Sequence, residues 1–298
     1  MHQFTRKTRV VILAIAFASL NLNAQDSNDE ATTELNPLTV IESKDETPSL
    51  SSGLRSSGPV TEIPKSISII NRDQIQAQGL KSVGDIIDYS PGVINSQGEG
   101  HRDTAVIRGI RTTQDFYRDG IRDDVQYYRP LYNIEQVEII RGPDALLSGF
   151  GGAYGLINRV SKKGKIGEDF LTLRGSIDTF GETSVQLDKN FNLNDSSAFR
   201  VNMFVDNLEN HRDFYYGDSF GINPVVNYDL GDGSTLHLSY EYLDQERFID
   251  RGIPTANGKP VKAYKDIVFG DATENFSTHE AHIFRAIFEH DLADSLNG

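Results

Sequence analysis

Beyond Lys163 the chain alternates, and that alternation limits what it can fold into more than any other feature. Leu171, Leu173 and Ile177 stand against Thr172, Arg174 and Ser176. Val185 and Leu187 stand against Gln186 and Asp188. Phe199, Val201, Met203 and Val205 stand against Arg200, Asn202 and Asp206. Ile222, Pro224, Val226, Tyr228 and Leu230 stand against Asn223, Asn227 and Asp229. Leu236, Leu238, Tyr240 and Tyr242 stand against His237, Ser239 and Glu241. A strand sends successive side chains to opposite faces, so each segment makes one apolar and one polar face. A sixth segment, 279–292, is less regular, because Ile283 and Ile287 share a face with Arg285 and Glu289. A soluble sandwich alternates too, but its turns carry no consistent length pattern. Here the connections at 192–196 and 231–233 are tight, while those at 208–217 and 247–278 are long. Short turns at one rim and long loops at the other predict a membrane barrel.

The N-terminus fits export to such a membrane. Arg6, Lys7 and Arg9 precede an apolar run from Val10 to Leu20, and Leu22-Asn23-Ala24 offers a small residue before a cut. This pattern predicts a signal peptide over 1–24. No segment has the roughly 18 continuous apolar residues of a spanning helix, so any membrane crossing is by strands. Residues 25–58 are polar and predict a flexible segment, interrupted by one apolar island at 35–41. The net charge of -14 argues against a nucleic-acid binder, which needs a basic stripe. The absence of cysteine excludes disulfides and thiolate metal sites.

Between the island and the alternating region, 59–164 reads as one α/β domain. Ser66 to Ile70 predicts a strand, and Asn71 caps a short helix carrying Ile75 and ending at Gly79. Val83, Ile86 and Ile87 give a second helix one face, and Pro91-Gly92 stops it. Thr104 to Arg108 and Asp115 to Tyr117 predict short strands, and Asp119-Gly120 is a turn signal. Ile134 to Arg141 is a β-branched strand broken by Gly142-Pro143. Asp144 to Leu147 predicts a short helix, a glycine-rich stretch follows, and Tyr154 to Val160 predicts another strand.

The ordered blocks IPKSISII, DIIDYSPGV, AVIRGI, FYRDGIRDD and IEQVEIIRGPDALLSGFGGAYGLINRVSKK resemble successive motifs of the plug domain in TonB-dependent outer-membrane siderophore receptors. The resemblance runs from about residue 37 through most of the chain. It implies an α/β plug domain followed by antiparallel transmembrane β-barrel strands, with the barrel starting at 165 and showing about six strands by 298. Plugged transporter barrels have about 22 strands, so the expected barrel is incomplete and would not work as a channel alone. The island becomes a TonB box, with Leu38, Thr39, Val40 and Ile41 pairing with a TonB-type energy transducer in the periplasm. The expected location is the outer membrane of a Gram-negative bacterium, the expected state a monomer in lipid, and the cargo a ferric siderophore with no resident cofactor. A receptor for haem or cobalamin, or a passive surface binding module, are the competing readings.

By resemblance, three plug loops at 97–103, 111–115 and 123–129 face outward and meet the ligand. They offer Arg102, Arg111, Gln114, Tyr127, Tyr128 and Arg129, whose forked donors and flat rings suit an oxygen-rich chelate. Tyr128 aligns with a ligand-contacting aromatic. Arg108 and Arg141 fall where the family places arginines that pair with barrel glutamates and lock the plug, with those glutamates expected beyond residue 298. No catalytic constellation emerges. His279 and His282 lie three apart in a predicted strand and so face opposite sides, which rules out a shared metal ion. Gly149 and Gly151 make no dinucleotide fingerprint, because Tyr154 stands at the third glycine position.

Overall fold

A computed structural model describes residues 49–50, 58–59, 66–96, 98–142, 154–271 and 273–290. The leader, the island with Leu38, Thr39, Val40 and Ile41, and the helix expected after Pro143 lie outside the described residues. Eighteen strands run β1 (Ser49–Leu50), β2 (Gly58–Pro59), β3 (Ser66–Asn71), β4 (Val93–Asn95), β5 (Ala105–Ile107), β6 (Ile110–Thr112), β7 (Phe116–Arg118), β8 (Ile121–Arg122), β9 (Ile134–Arg141), β10 (Gly155–Ser161), β11 (Phe170–Ile177), β12 (Thr183–Asn194), β13 (Ser197–Leu208), β14 (Gly217–Gly231), β15 (Ser234–Phe248), β16 (Thr255–Ala256), β17 (Lys259–Pro260) and β18 (Phe276–His290). Among the described residues, two short α-helices, α1 (Arg72–Ala77) and α2 (Val83–Ile87), follow β3.

Local chemistry accounts for the helix starts. The Asn71 side chain accepts from the Gln74 N–H at 2.9 Å while Gln74 reaches back to the Asn71 N–H, a reciprocal capping box. Ser82 and Asp85 repeat the device at α2. Each helix presents its apolar residues to one core with Ile70, Ile107, Phe116, Val137, Ile139 and Ile157. That core sits under a five-stranded sheet of order β3-β9-β10-β7-β8, antiparallel except for the β10–β7 pair. Asp119 and Gly120 have φ of 50° and 76°, the left-handed pair that a tight hairpin between β7 and β8 needs. A separate three-stranded sheet, β4-β5-β6, lies beside it.

The six long strands β11-β12-β13-β14-β15-β18 form an antiparallel meander. Their apolar positions face away from the α/β domain: Leu173 is 67% and Phe284 78% exposed. Their polar positions Asp188, Asn190, Arg200, Asn202, Asn223, Asn227 and Glu241 are buried beneath that domain. The sheet is thus apolar outside and polar inside, with the polar face covered rather than wet. The irregular sixth segment takes its place in the same ladder, because Arg285 and Glu289 face inward and find partners there. His279 also faces in, with its ring stacked 4.3 Å from Tyr127, whereas His282 faces out and accepts from or donates to Tyr240 at 2.8 Å.

Candidate functional site

The segment after β8 folds around one carboxylate. Asp123 accepts from the Tyr127 hydroxyl at 2.9 Å, from Arg129 Nε at 3.1 Å and from Arg159. Burial alone would push the Asp123 carboxyl up, but Arg159 and Arg129 outweigh it and hold the pKa below the ordinary value. Arg129 also donates to the backbone carbonyls of Asp123 and Val125, at 2.9 and 2.6 Å, and stacks on Phe116. Every one of these bonds is local to the loop, so the guanidinium acts as its internal frame.

Tyr127 and Arg129, expected to face a ligand, are turned into this loop. Arg129 is fully buried and Tyr127 nearly so, because both serve Asp123. The other four expected residues are reachable to different degrees. Arg111, in β6, and Gln114, beyond it, are exposed, and Gln114 accepts from Arg122 at 3.2 Å. Arg102 is half-buried, bonded to Gln126 and 3.3 Å from Glu99. Tyr128 is half-buried with the Arg247 guanidinium 3.9 Å over its ring.

Tyr128 and Arg247 border a cleft of about 440 Å³ between the α/β domain and the inner wall of the sheet. Asp103 and Gly100 close it on one side, and Asp206, Tyr215, Gln245 and Asp250 on the other. Asp206 and Gln245 stand at the ends of β13 and β15 that lead into the long connections, and Tyr215 and Asp250 lie in those connections, so the cleft opens toward the long-loop rim.

Deeper down, charged pairs join the two parts. Glu241 of β15 receives Arg118 of β7, the Tyr132 hydroxyl at 3.0 Å and Asn133 Nδ2 at 2.9 Å. Arg285 of β18 approaches the same carboxylate at 3.4 Å. Burial and the Glu241 charge together raise the Tyr132 hydroxyl well above its ordinary pKa. Asp188 of β12 accepts from Lys162 at 2.9 Å and from Arg200 at 2.7 Å. Lys81 pairs with Glu182. The expected lock residues behave differently. Arg141 donates to the Ser66 and Ser68 hydroxyls at 3.0 and 2.8 Å, and neither Arg141 nor Arg108 has a carboxylate partner among the described residues. Burial and the neighbouring Arg108 both lower the Arg141 pKa, the shift expected where cations lack a counter-charge. Arg118 and Lys162, which carry the observed wall contacts, were not singled out in the sequence. Arg118 sits two residues before a turn glycine and reads there as an ordinary hairpin residue.

A mixed α/β plug seated on the polar face of an apolar-out meander is the architecture of a plugged transmembrane barrel. A protein-family model described as the TonB-dependent receptor plug domain matches residues 59–156. The probable TonB-dependent siderophore receptor PiuA of Acinetobacter baumannii is 30% identical over 255 residues, which are 80% of this chain and 34% of that protein. The catecholate siderophore receptor Fiu of Escherichia coli O157:H7 is 30% identical over 265 residues, 85% of this chain and 34% of that one. The crystal structure of PiuA superposes with a TM-score of 0.75 at 29% identity, covering 82% of this chain and 36% of PiuA. The open form of the ferric-catecholate import receptor Fiu from E. coli K12 gives 0.71 at 27% identity, covering 83% and 40%. The chain belongs to the TonB-dependent receptor family, and it spans about a third of the length of the curated relatives it matches.

Proposed function

We propose that this chain serves energy-coupled uptake of ferric siderophores across the outer membrane of a Gram-negative bacterium. The cleft at the long-loop rim carries the reading. A flat aromatic ring and a guanidinium stand together there, between a plug and a wall held together by buried charge pairs. A ligand seated on Tyr128 touches both parts at once, so its binding is felt by the plug. The relatives named above as siderophore receptors support the cargo class. No covalent step is involved: the chain binds, and transduced energy moves the plug.

The periplasmic partner in this reading is a TonB-type transducer that adds Leu38, Thr39, Val40 and Ile41 to its sheet edge. Deletion of residues 38–41 tests it, with radiolabelled ferric siderophore offered to cells. Uptake lost while cell-surface binding persists is the expected result. Uptake that continues at the parental rate overturns energy coupling through this segment and leaves a passive binding surface. Absence of any surface binding by the parent overturns the cargo class.

A further inference from the structure

The cleft beside Tyr128 contains two carboxylate oxygens that nothing satisfies. Asp103 Oδ1 and Asp206 Oδ1 are each buried without a hydrogen-bond partner among the described residues. Asp103 is 2% exposed, and its other oxygen is taken by the Arg129 N–H at 2.8 Å. Burial outweighs the neighbouring guanidiniums and raises the Asp103 carboxyl above its ordinary pKa.

The remaining charges of the cleft are already used. Lys81 is paired with Glu182, and Asp250 receives Arg212 at 2.8 Å. Asp85 accepts from the backbone N–H groups of Lys81 and Ser82, at 2.9 and 2.8 Å. Arg129 serves Asp123 and the loop carbonyls, and its guanidinium also lies 3.6 Å from Asp103 Oδ2, leaving Oδ1 as the free acceptor. Arg247 alone offers a guanidinium with no carboxylate partner among the described residues, and it lies on the ring of Tyr128. The cleft therefore holds one guanidinium without a carboxylate partner and two carboxylates that each keep one oxygen without a donor. A purely anionic chelate satisfies the first and is repelled by the second. Buried carboxylate oxygens left without donors are costly, and a ligand that brings charged donors removes that cost.

We infer that the cleft selects a ferric chelate bearing a cationic ammonium arm, with the oxygen-rich core against Tyr128 and Arg247 and the arm against Asp206 and Asp103. This rests on the ferric-siderophore reading above and narrows its substrate class.

The test uses two probes that differ only in the arm. One is a ferric tris-catecholate with a free primary amine, the other the same chelate with that amine acetylated. Binding of radio-iron is measured on outer-membrane preparations carrying the receptor. The free amine is expected to bind roughly tenfold tighter, the gain of one charge-assisted hydrogen bond. In Asp206→Asn that preference should vanish while the acetylated form binds as before, which also shows that the variant is folded. Arg247→Gln should weaken both forms alike. Equal affinity of the two forms for the parent, or a preference that survives Asp206→Asn, overturns the inference and leaves the ferric-chelate reading standing. Failure of both forms to bind brings down that reading and this inference with it.

Discussion

Glu241 shows what a plugged barrel demands of single residues. The wall's inner face must be polar to complete the alternation, yet the plug takes it out of water. Each buried charge then needs a counter-charge, and at Glu241 the plug supplies one. Glu241 is 2% exposed and meets Arg118, Arg285, Tyr132 and Asn133 together. Removing one partner of such a pair typically costs about 3–5 kcal/mol, because the other charge stays buried and unpaired. Glu241→Ala should destabilise the protein in detergent by that margin, seen as a lower thermal unfolding midpoint, whereas removal of the exposed Lys265–Asp266 pair should cost under about 1 kcal/mol. Equal effects from the two would mean that the wall contact carries no special weight. Asp123 makes a second prediction, in pH. Its folded pKa lies below its unfolded value of about 3.9, since Arg159 and Arg129 outweigh burial. The stability it contributes is fully present above that unfolded value and is lost as pH falls through the folded one. Acid titration of unfolding should therefore show a decline below about pH 4 that is smaller in Asp123→Asn. Asp123→Asn should also be less stable at neutral pH, because Arg159, 1% exposed, loses its carboxylate.

At the scale of elements, most of the ladder was readable because period two survives in the chain itself. Leu236, Leu238, Tyr240 and Tyr242 announce β15 without any knowledge of its neighbours. β18 was harder, since the meaning of Arg285 depends on Glu241, forty-four positions away, and that of Glu289 on Lys163, one hundred and twenty-six away. The Asn71 cap of α1 was visible because it acts within four residues. The loop after β8 misled for the same reason in reverse. Tyr127 and Arg129 look like exposed binding residues until Asp123 and Arg159 are brought together by the β10–β7 pairing, which no local pattern encodes. Nothing local marks Arg118, because its partner lies on the wall. One further contact belongs to this scale. Gly100 has φ of +84°, and a Cβ there would stand 2.5 Å from the Asp250 carbonyl oxygen. The plug apex therefore rests directly on the backbone of the long connection after β15, and Asp250 ties that connection to Arg212. Gly100→Ala should push residues 249–275 away from the apex. Limited proteolysis should then cut that connection faster, with the thermal midpoint of the body changed little. Cleavage at the parental rate would show that the contact does not hold the connection in place.

At the scale of the whole molecule, the decisive surface is the outer one. Val185, Phe191, Tyr228 and Leu238 are exposed on strands whose other face is buried and polar, and Leu171, Leu173, Phe284 and Phe288 carry the same apolar face onto the two edge strands. On a protein in water this would be an aggregation hazard. In a bilayer it is the required solvent contact, and the antiparallel ladder satisfies the backbone groups that lipid cannot. Depth then separates the lipid reading from a generic sticky face. Phe284 pairs with Tyr240 midway along β18, while Phe288 pairs with Leu236 close to the short turn between β14 and β15. A lipid-facing arginine costs about 2–4 kcal/mol at the bilayer midplane and about 0–1 kcal/mol near an interface. Phe284→Arg should thus depress folding of the receptor into lipid vesicles far more than Phe288→Arg, as read by urea titration of the folded fraction. A protein–protein interface has no such depth gradient, so equal costs at the two positions would assign this face to a partner protein instead of a membrane.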